Sequence, residues 1–308
     1  MAEEVQPHAP DEVPACAGTT GGHATVPTLA HLVRRTARRL EAAGIADAHL
    51  EADLIWTTAL GIDRAALYAA FRDTPTEEEK GRAEALCERR LNREPVAYLM
   101  GTREFYGLPI AVGPGVLIPR PETETVVEET LRLVEGEAPP VVADVGCGSG
   151  AIAVALAVAR PEAVVYALDI APRALELTAL NAAKHGVSER VHVLESDLLA
   201  ALPRPVHVIA ANLPYVMSEE IPLLEPEVSR YEPREALDGG ADGLDLIRRL
   251  LAEADGHLLP GGSLVLEMDP RQTAAAGEAA AACFPGARIR AVRDLAERER
   301  VLVVQTVQ

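Results

Sequence analysis

The feature that most constrains the fold is a change of hydrophobic period after Pro139-Pro140. Four short apolar runs follow, at Val141–Val145, Val164–Leu168, Val191–Leu194 and Val206–Ala211. Each has the length and make-up of a strand buried on both faces. Helical stretches lie between them, at about Ala151–Ala159 and Pro172–His185. Alternating strand and helix requires a parallel sheet with right-handed crossovers. Farther on, Gly243–Gly256 reads as a helix, Ser263–Met268 as a strand and Thr273–Cys283 as a helix. Strands near Ile289 and at Val301–Gln305 come with little between them, which predicts an antiparallel hairpin closing the sheet.

Upstream the texture is helical. Thr28 and Asp47 stand where helix caps belong, Asp63 opens a third helix, and Thr76-Glu77-Glu78-Glu79 has the spacing of a capping box. Four short helices from 28 to 95 make a small bundle, with Trp56 in its core and Arg34-Arg35 and Arg38-Arg39 on a solvated face. Val96–Leu117 mixes aromatic and β-branched residues with glycines, so residues 96–120 are expected to be a β-hairpin linker. Pro121 suits the first turn of a helix running to about Glu135. Residues 1–27 read as a flexible tail and 121–308 as the α/β domain.

Charge and cysteine usage exclude some functions. With 29 basic and 47 acidic residues the chain carries a formal charge of −18, which repels nucleic acid unless a basic groove is hidden. Aromatic residues make up 3% of the chain, too few for a surface that stacks unpaired bases. Cys16, Cys87, Cys147 and Cys283 are scattered and form no Cys-x-x-Cys pair, so a zinc ribbon or disulfide framework is not expected and a reducing cytosol is. No run of ~18 apolar residues predicts a membrane span.

The chemistry gathers at strand ends. Asp144-Val145-Gly146-Cys147-Gly148-Ser149-Gly150 follows the first run and opens a helix. Glycines admit a ligand close to the backbone, and a helix N-terminus supplies free N–H groups. A nucleotide-type cofactor is expected across the carboxyl ends of the strands. Asp169 ends the second run, where a carboxylate can accept from both ribose hydroxyls. Gly146, Gly148 and Ala151 also satisfy a loose dinucleotide fingerprint, and a tight turn without a ligand is the plain alternative. Cys147 reads as a small loop filler. His185 and His192 have no second ligand at metal spacing, so no metal is expected.

The Asp-x-Gly-x-Gly-x-Gly spacing resembles the first motif of class I S-adenosylmethionine methyltransferases. That resemblance implies that Gly146, Cys147, Gly148, Ser149, Gly150 and Asp169 hold S-adenosylmethionine. It further implies that Asp197, after the third run, accepts the adenine amine and that Leu198 packs on the ring; a solvated helix cap is the other reading of Asp197. Asn212-Leu213-Pro214-Tyr215 ends the fourth run and resembles the Asn-Pro-Pro-Tyr signature of methyltransferases acting on planar amide or amine nitrogens. An amide nitrogen is a poor nucleophile because its lone pair is delocalised, so the enzyme must align it. The resemblance makes the Asn212 side-chain oxygen and the Pro214 carbonyl the two acceptors for its N–H bonds. Tyr215 covers the flat face of the amide, and Asn212 also borders the cofactor. Leu213 stands where the signature has proline. It remains extended before Pro214, but Asn212 loses one restriction.

Gly101-Thr102-Arg103-Glu104-Phe105, Ile118-Pro119-Arg120-Pro121-Glu122-Thr123-Glu124, the glycine loop and the Asn212 tetrapeptide occur in this order behind a helical N-terminal region. Together they are similar to the HemK/PrmC family, the peptide chain release factor glutamine methyltransferases, over about residues 28–308. The likeness implies a class I fold, Rossmann-like, with a mostly parallel seven-stranded sheet and a small N-terminal bundle that recognises substrate. It implies S-adenosylmethionine as the cofactor and the glutamine of the Gly-Gly-Gln motif in class I release factors as the methyl acceptor. The expected enzyme is a cytoplasmic monomer without stable nucleic-acid or membrane partners. Phe105 and the Pro-Arg-Pro-Glu-Thr-Glu string are expected near the methionine end of the cofactor. Arg120 is read either as a carboxylate partner there or as a surface partner of Glu122 or Glu124. Glu225–Arg234 reads as a loop over the substrate entrance, and Glu267-Met268-Asp269 either reaches the site or merely ends a strand. Other readings are a ribosomal-protein glutamine methyltransferase, an adenine amino methyltransferase, a silent binding module and a dehydrogenase. The charge opposes the adenine reading, and a dehydrogenase leaves the tetrapeptide without a role.

Overall fold

The computed structural model describes residues 27–307, so nearly all of the expected tail, with Cys16, lies outside the described residues. Four helices come first: α1 (Leu29–Ala42), α2 (Ala48–Leu60), α3 (Arg64–Ala69) and α4 (Glu77–Leu91). Asp63 caps α3 by accepting the Ala66 N–H at 2.8 Å, and Thr76 with Glu79 forms the full capping box of α4. Thr28 and Asp47 occupy their cap positions without a side-chain cap bond. The apolar faces meet around Leu40, Ile55, Trp56 and Leu67. Trp56 donates its indole N–H to the Thr36 hydroxyl at 3.1 Å, which satisfies its polar edge inside the bundle. Of the four arginines on α1, Arg39 leaves the solvated face to pair with Glu84 and Glu88 of α4.

The linker departs from expectation. Val96–Met100 forms a further short helix, α5, and only β1 (Thr102–Phe105) and β2 (Leu108–Ala111) make the antiparallel hairpin. Ala97, Tyr98 and Leu99 are all buried, which a single helical turn wedged between domains achieves and an alternating strand does not. Gly101, at φ 69°, ends that turn.

The remaining elements are α6 (Glu124–Leu133), β3 (Val141–Val145), α7 (Ala151–Ala159), β4 (Val164–Asp169), α8 (Pro172–Lys184), β5 (Val191–Glu195), β6 (Val206–Ala211), α9 (Pro226–Ser229), α10 (Asp245–Glu253), β7 (Leu258–Glu267), α11 (Thr273–Cys283), β8 (Arg288–Arg293) and β9 (Glu299–Gln305). The seven-stranded sheet has the order β5-β4-β3-β6-β7-β9-β8. Its first five strands are parallel, and β9 runs antiparallel to both β7 and β8. The hairpin predicted at the end of the chain is therefore present. One face packs on α6 and α7 around Val126 and Leu156, the other on α10 and α11 around Leu250 and Ala276. β3 is wholly buried, but β5 is not, because it is an edge strand. At the opposite edge lies β8, also partly exposed. The winding reverses direction at β3, between β4 and β6, and such a switch point opens a crevice at the carboxyl ends of the strands. No helix among the described residues is long and apolar enough to cross a membrane.

Candidate active site

β3 and β6 lie side by side in parallel, with Val145 opposite Ala211. The glycine loop and the Asn212 tetrapeptide therefore emerge together at one end of the sheet. They touch: a Cβ on Gly146, whose φ is 73°, would come 3.0 Å from Leu213 Cδ2. Gly148 is different, since nothing lies within 4 Å of a Cβ there. Its glycine is explained by φ 55° and by open approach to the backbone.

A cavity of about 440 Å³ opens here, bounded by the glycine loop, Asp169, Asp197, Leu198 and Asn212. That size suits a small-molecule site. Asp169 accepts the Gly148 N–H through Oδ2 and the Ala171 N–H through Oδ1, both at 2.9 Å. Each oxygen keeps a lone pair for a ligand hydroxyl. The chain's own residues thus fit an adenosyl group: a carboxylate for the ribose, bare loop backbone, and apolar walls including Ile170, Ala174 and Leu198. Leu198 is buried at φ 48°. Asp197 borders the cavity but shares its carboxylate with Arg249 at 3.0 Å. Cys147 is buried beside the Thr178 hydroxyl at 3.4 Å, and burial pushes its thiol well above the usual range. A thiol so held is loop filling, as expected from the sequence. Beneath the loop, Asp144 is fully buried, accepts the Ala153 N–H at 3.0 Å, and burial pushes its carboxyl up to about 7.

Asn212 donates through Nδ2 to Thr123 Oγ1 at 3.1 Å. Tyr215 donates its hydroxyl to Glu267 Oε1 at 3.0 Å, so Glu267 does more than end a strand. Burial raises the Glu267 carboxyl, against the Thr123 and Tyr215 hydroxyls and Arg300, which favour its charged form. Burial and the neighbouring Glu267 carboxylate push the Tyr215 hydroxyl strongly up. A second cavity of about 310 Å³ adjoins the first, and Leu117, Asn212, Leu213 and Ala236 line both. The Pro214 carbonyl oxygen packs against the 239–243 loop, where a Cβ on Gly239 would come 2.7 Å from it.

Two expectations need correction. Arg120 meets neither Glu122 nor Glu124; it pairs with Glu232 at 2.5 Å, and Glu232 also accepts the Ile118 N–H at 3.2 Å. Residues 225–234, read as a loop over the entrance, do border the two cavities through Pro233 and Val228. They hold α9, enter a 3-10 turn at Arg234–Ala236 and pack against the Arg120 string. Glu124 turns instead to the Tyr106 N–H at 2.9 Å. Phe105 is buried in the core with Ile110 and Val126 and does not line the cavity, whereas Pro119 and Thr123 of the string do.

Comparison with known proteins agrees with this geometry. A family model described as the PrmC N-terminal domain matches residues 31–101, and one described as the methyltransferase small domain matches residues 130–223. The chain is 43% identical over 226 residues to a release factor glutamine methyltransferase of Geobacter sulfurreducens, covering 73% of this chain and 78% of that protein. It is 40% identical over 274 residues to the one from Moorella thermoacetica, covering 89% of this chain and 96% of that protein. The chain belongs to the release factor glutamine methyltransferase family. Its sheet and N-terminal helices are those of a class I S-adenosylmethionine-dependent methyltransferase with a helical N-terminal region.

In this methyltransferase several site residues lack a motif of their own. Glu232 carries no local signal. Thr123 stands in the recognised string, but a fold is needed to bring it to Asn212. Gly239 and Gly243 had a signal in their clustering after Asp238: a Cβ on Gly243 would come 2.2 Å from the Tyr215 carbonyl oxygen. That loop is the support on which the tetrapeptide rests.

Proposed function

We propose that this chain methylates the side-chain amide nitrogen of the glutamine in the Gly-Gly-Gln motif of class I peptide chain release factors. The observation that carries this reading is the shared wall of the two cavities. A methyl donor in the larger and an acceptor in the smaller meet across Asn212 and Leu213. When bound, S-adenosylmethionine supplies an electrophilic methyl group on a sulfonium.

Everything else falls to the chain. The glycine loop and Asp169 hold the donor. Asn212 Oδ1, freed by the Nδ2 bond to Thr123, accepts one N–H of the glutamine amide. A main-chain carbonyl of the tetrapeptide accepts the other. Crowding of the Pro214 oxygen by the 239–243 loop favours the Leu213 carbonyl over the expected Pro214 for this task. Both N–H bonds held, the nitrogen lone pair points at the methyl carbon, and rate comes from alignment. Catalytic contact belongs to Asn212, the Leu213–Pro214 main chain and Tyr215. The helical region over 28–95 recognises the release factor, and the cytoplasm, where release factors act, is the setting this implies.

Incubating the chain with labelled S-adenosylmethionine and, separately, release factors, ribosomal proteins and RNA tests the reading. Label on the release factor glutamine is expected. Label on RNA alone overturns it, and label confined to a ribosomal protein moves the substrate to the sister activity.

A further inference from the structure

We propose that Thr123 and Glu267 are positioning residues that fix which end of the Asn212 amide faces the acceptor. The inference rests on the reading of Asn212 as the acceptor of a glutamine N–H.

Asparagine presents a donor at one end of its amide and an acceptor at the other, and the two are nearly equal in shape. A glutamine NH₂ group brings only donors. With Nδ2 turned toward it the site would set donor against donor, and the nitrogen would not be held. Something in the fold must choose the orientation.

Glu267 is 1% exposed at the end of β7. Its Oε1 accepts a hydrogen bond from the Tyr215 hydroxyl at 3.0 Å, while Oε2 has no hydrogen-bond partner among the described residues. Burial raises this carboxyl, while the Thr123 and Tyr215 hydroxyls favour its charged form. A carboxylate is an acceptor only, and a hydroxyl has one proton. Once the Thr123 proton is directed to Glu267, its oxygen has only lone pairs left for Asn212. Only Nδ2 can meet a lone pair, at the observed 3.1 Å, and Oδ1 is left for the acceptor. Polarity runs one way along this chain, from Asn212 through Thr123 to Glu267.

Thr123 is itself held in place. It is 3% exposed and sits in the 3-10 turn Pro121–Thr123, which follows the Arg120–Glu232 pair. Two prolines and a half-buried ion pair thereby bring one hydroxyl to the place where the amide must be oriented. The same carboxylate ties down Tyr215, so a single buried acid governs both polar side chains of the tetrapeptide.

The test is steady-state methylation of a purified release factor by the full chain carrying Thr123→Val or Thr123→Ser, each also made in an Asn212→Asp background. Thr123→Val should lower kcat about five- to thirtyfold, the effect of losing one orienting hydrogen bond. The KM for S-adenosylmethionine should move less than kcat. Thr123→Ser keeps the hydroxyl and should stay within about threefold of the parent. Aspartate offers an oxygen at either end, so in that background Thr123→Val should cost less than about twofold. An equal loss in both backgrounds, or a parent kcat in Thr123→Val, overturns the proposal. If Thr123→Val does not fold, Thr123→Ala removes the same hydroxyl without a branched side chain: loss of kcat that vanishes in the Asn212→Asp background supports the proposal, and persistence overturns it. A parent chain that leaves the release factor unlabelled overturns the acceptor reading itself, which distinguishes that failure from this one.

Discussion

Asp169 grips the glycine loop: its Oδ2 accepts the Gly148 N–H over 2.9 Å, bringing the end of β4 to the turn after β3. The carboxylate is thus both a ligand acceptor and a brace for the backbone that meets the ligand.

Asp169→Ala removes both roles. Affinity for S-adenosylmethionine should weaken by ~1–3 kcal/mol, the usual range for a charge-assisted hydrogen bond. Titration calorimetry reads it directly. Undiminished affinity, or tight binding of NAD in its place, would show the cavity holds a different ligand.

Asn212→Ala deletes one of the two acceptors at the reacting nitrogen. Single-turnover methylation of a release factor should slow by about 30- to 1,000-fold, equivalent to ~2–4 kcal/mol of lost transition-state stabilisation. Cofactor affinity should fall much less. A variant that methylates at the parent rate refutes the role given to Asn212.

Leu213→Pro restores the residue of the related signature and the restriction it places on Asn212. Methylation should be kept or raised. Stability should drop by about 1 kcal/mol, because Leu213 is 4% exposed and its Cδ2 fills the space over Gly146. Denaturant midpoints and single-turnover rates, taken together, separate the two effects.

Asp144 makes stability depend on pH. Unfolded, its carboxyl ionises at the ordinary 3.8; folded, burial moves it to about 7. Between those values the folded state holds one more proton, so stability falls as pH rises through the window, by up to ~1.4 kcal/mol per unit, and levels off above it. Asp144→Asn keeps an oxygen for the Ala153 N–H and removes the ionisation. Relative to the parent, the variant should gain stability between about pH 5 and about pH 8 in urea titrations. A constant difference across that range would contradict the assignment.

The N-terminal bundle is locked to the sheet domain through Arg90. This residue is 4% exposed and pairs with Glu51 of α2 at 2.5 Å and Glu227 of α9 at 2.9 Å. Arg90→Met leaves two half-buried carboxylates facing each other, and breaking such a pair should lower stability by about 2–4 kcal/mol. Differential scanning calorimetry should show the bundle melting earlier than the sheet domain; a single unshifted transition would disprove the coupling.

Much of the fold was legible because its signals are local. Strand and helix periods located β3 to β6, α7 and α8 nearly to the residue, and the capping box at Thr76 marked the start of α4. The cavity was legible too, since Gly146 to Gly150 follow one strand and Asp169 ends the next, and right-handed crossovers set those strands side by side. Long-range partnership was not legible. Nothing beside Arg120 in the sequence names Glu232, 112 residues away, and nothing beside Asn212 names Thr123. The helix α5 was hidden for another reason: Val96, Tyr98 and Leu99 favour a strand by composition, and burial of consecutive side chains overrode that preference.

The outer edge of the sheet has a consequence for how the molecule meets its own kind. β8 carries Arg288, Arg290 and Arg293 within six residues, and Arg290 is anchored inward on Glu129. A strand from a second copy laid along that edge would meet this row of positive charge. Like charges along its last strand oppose extension of the sheet by a second copy.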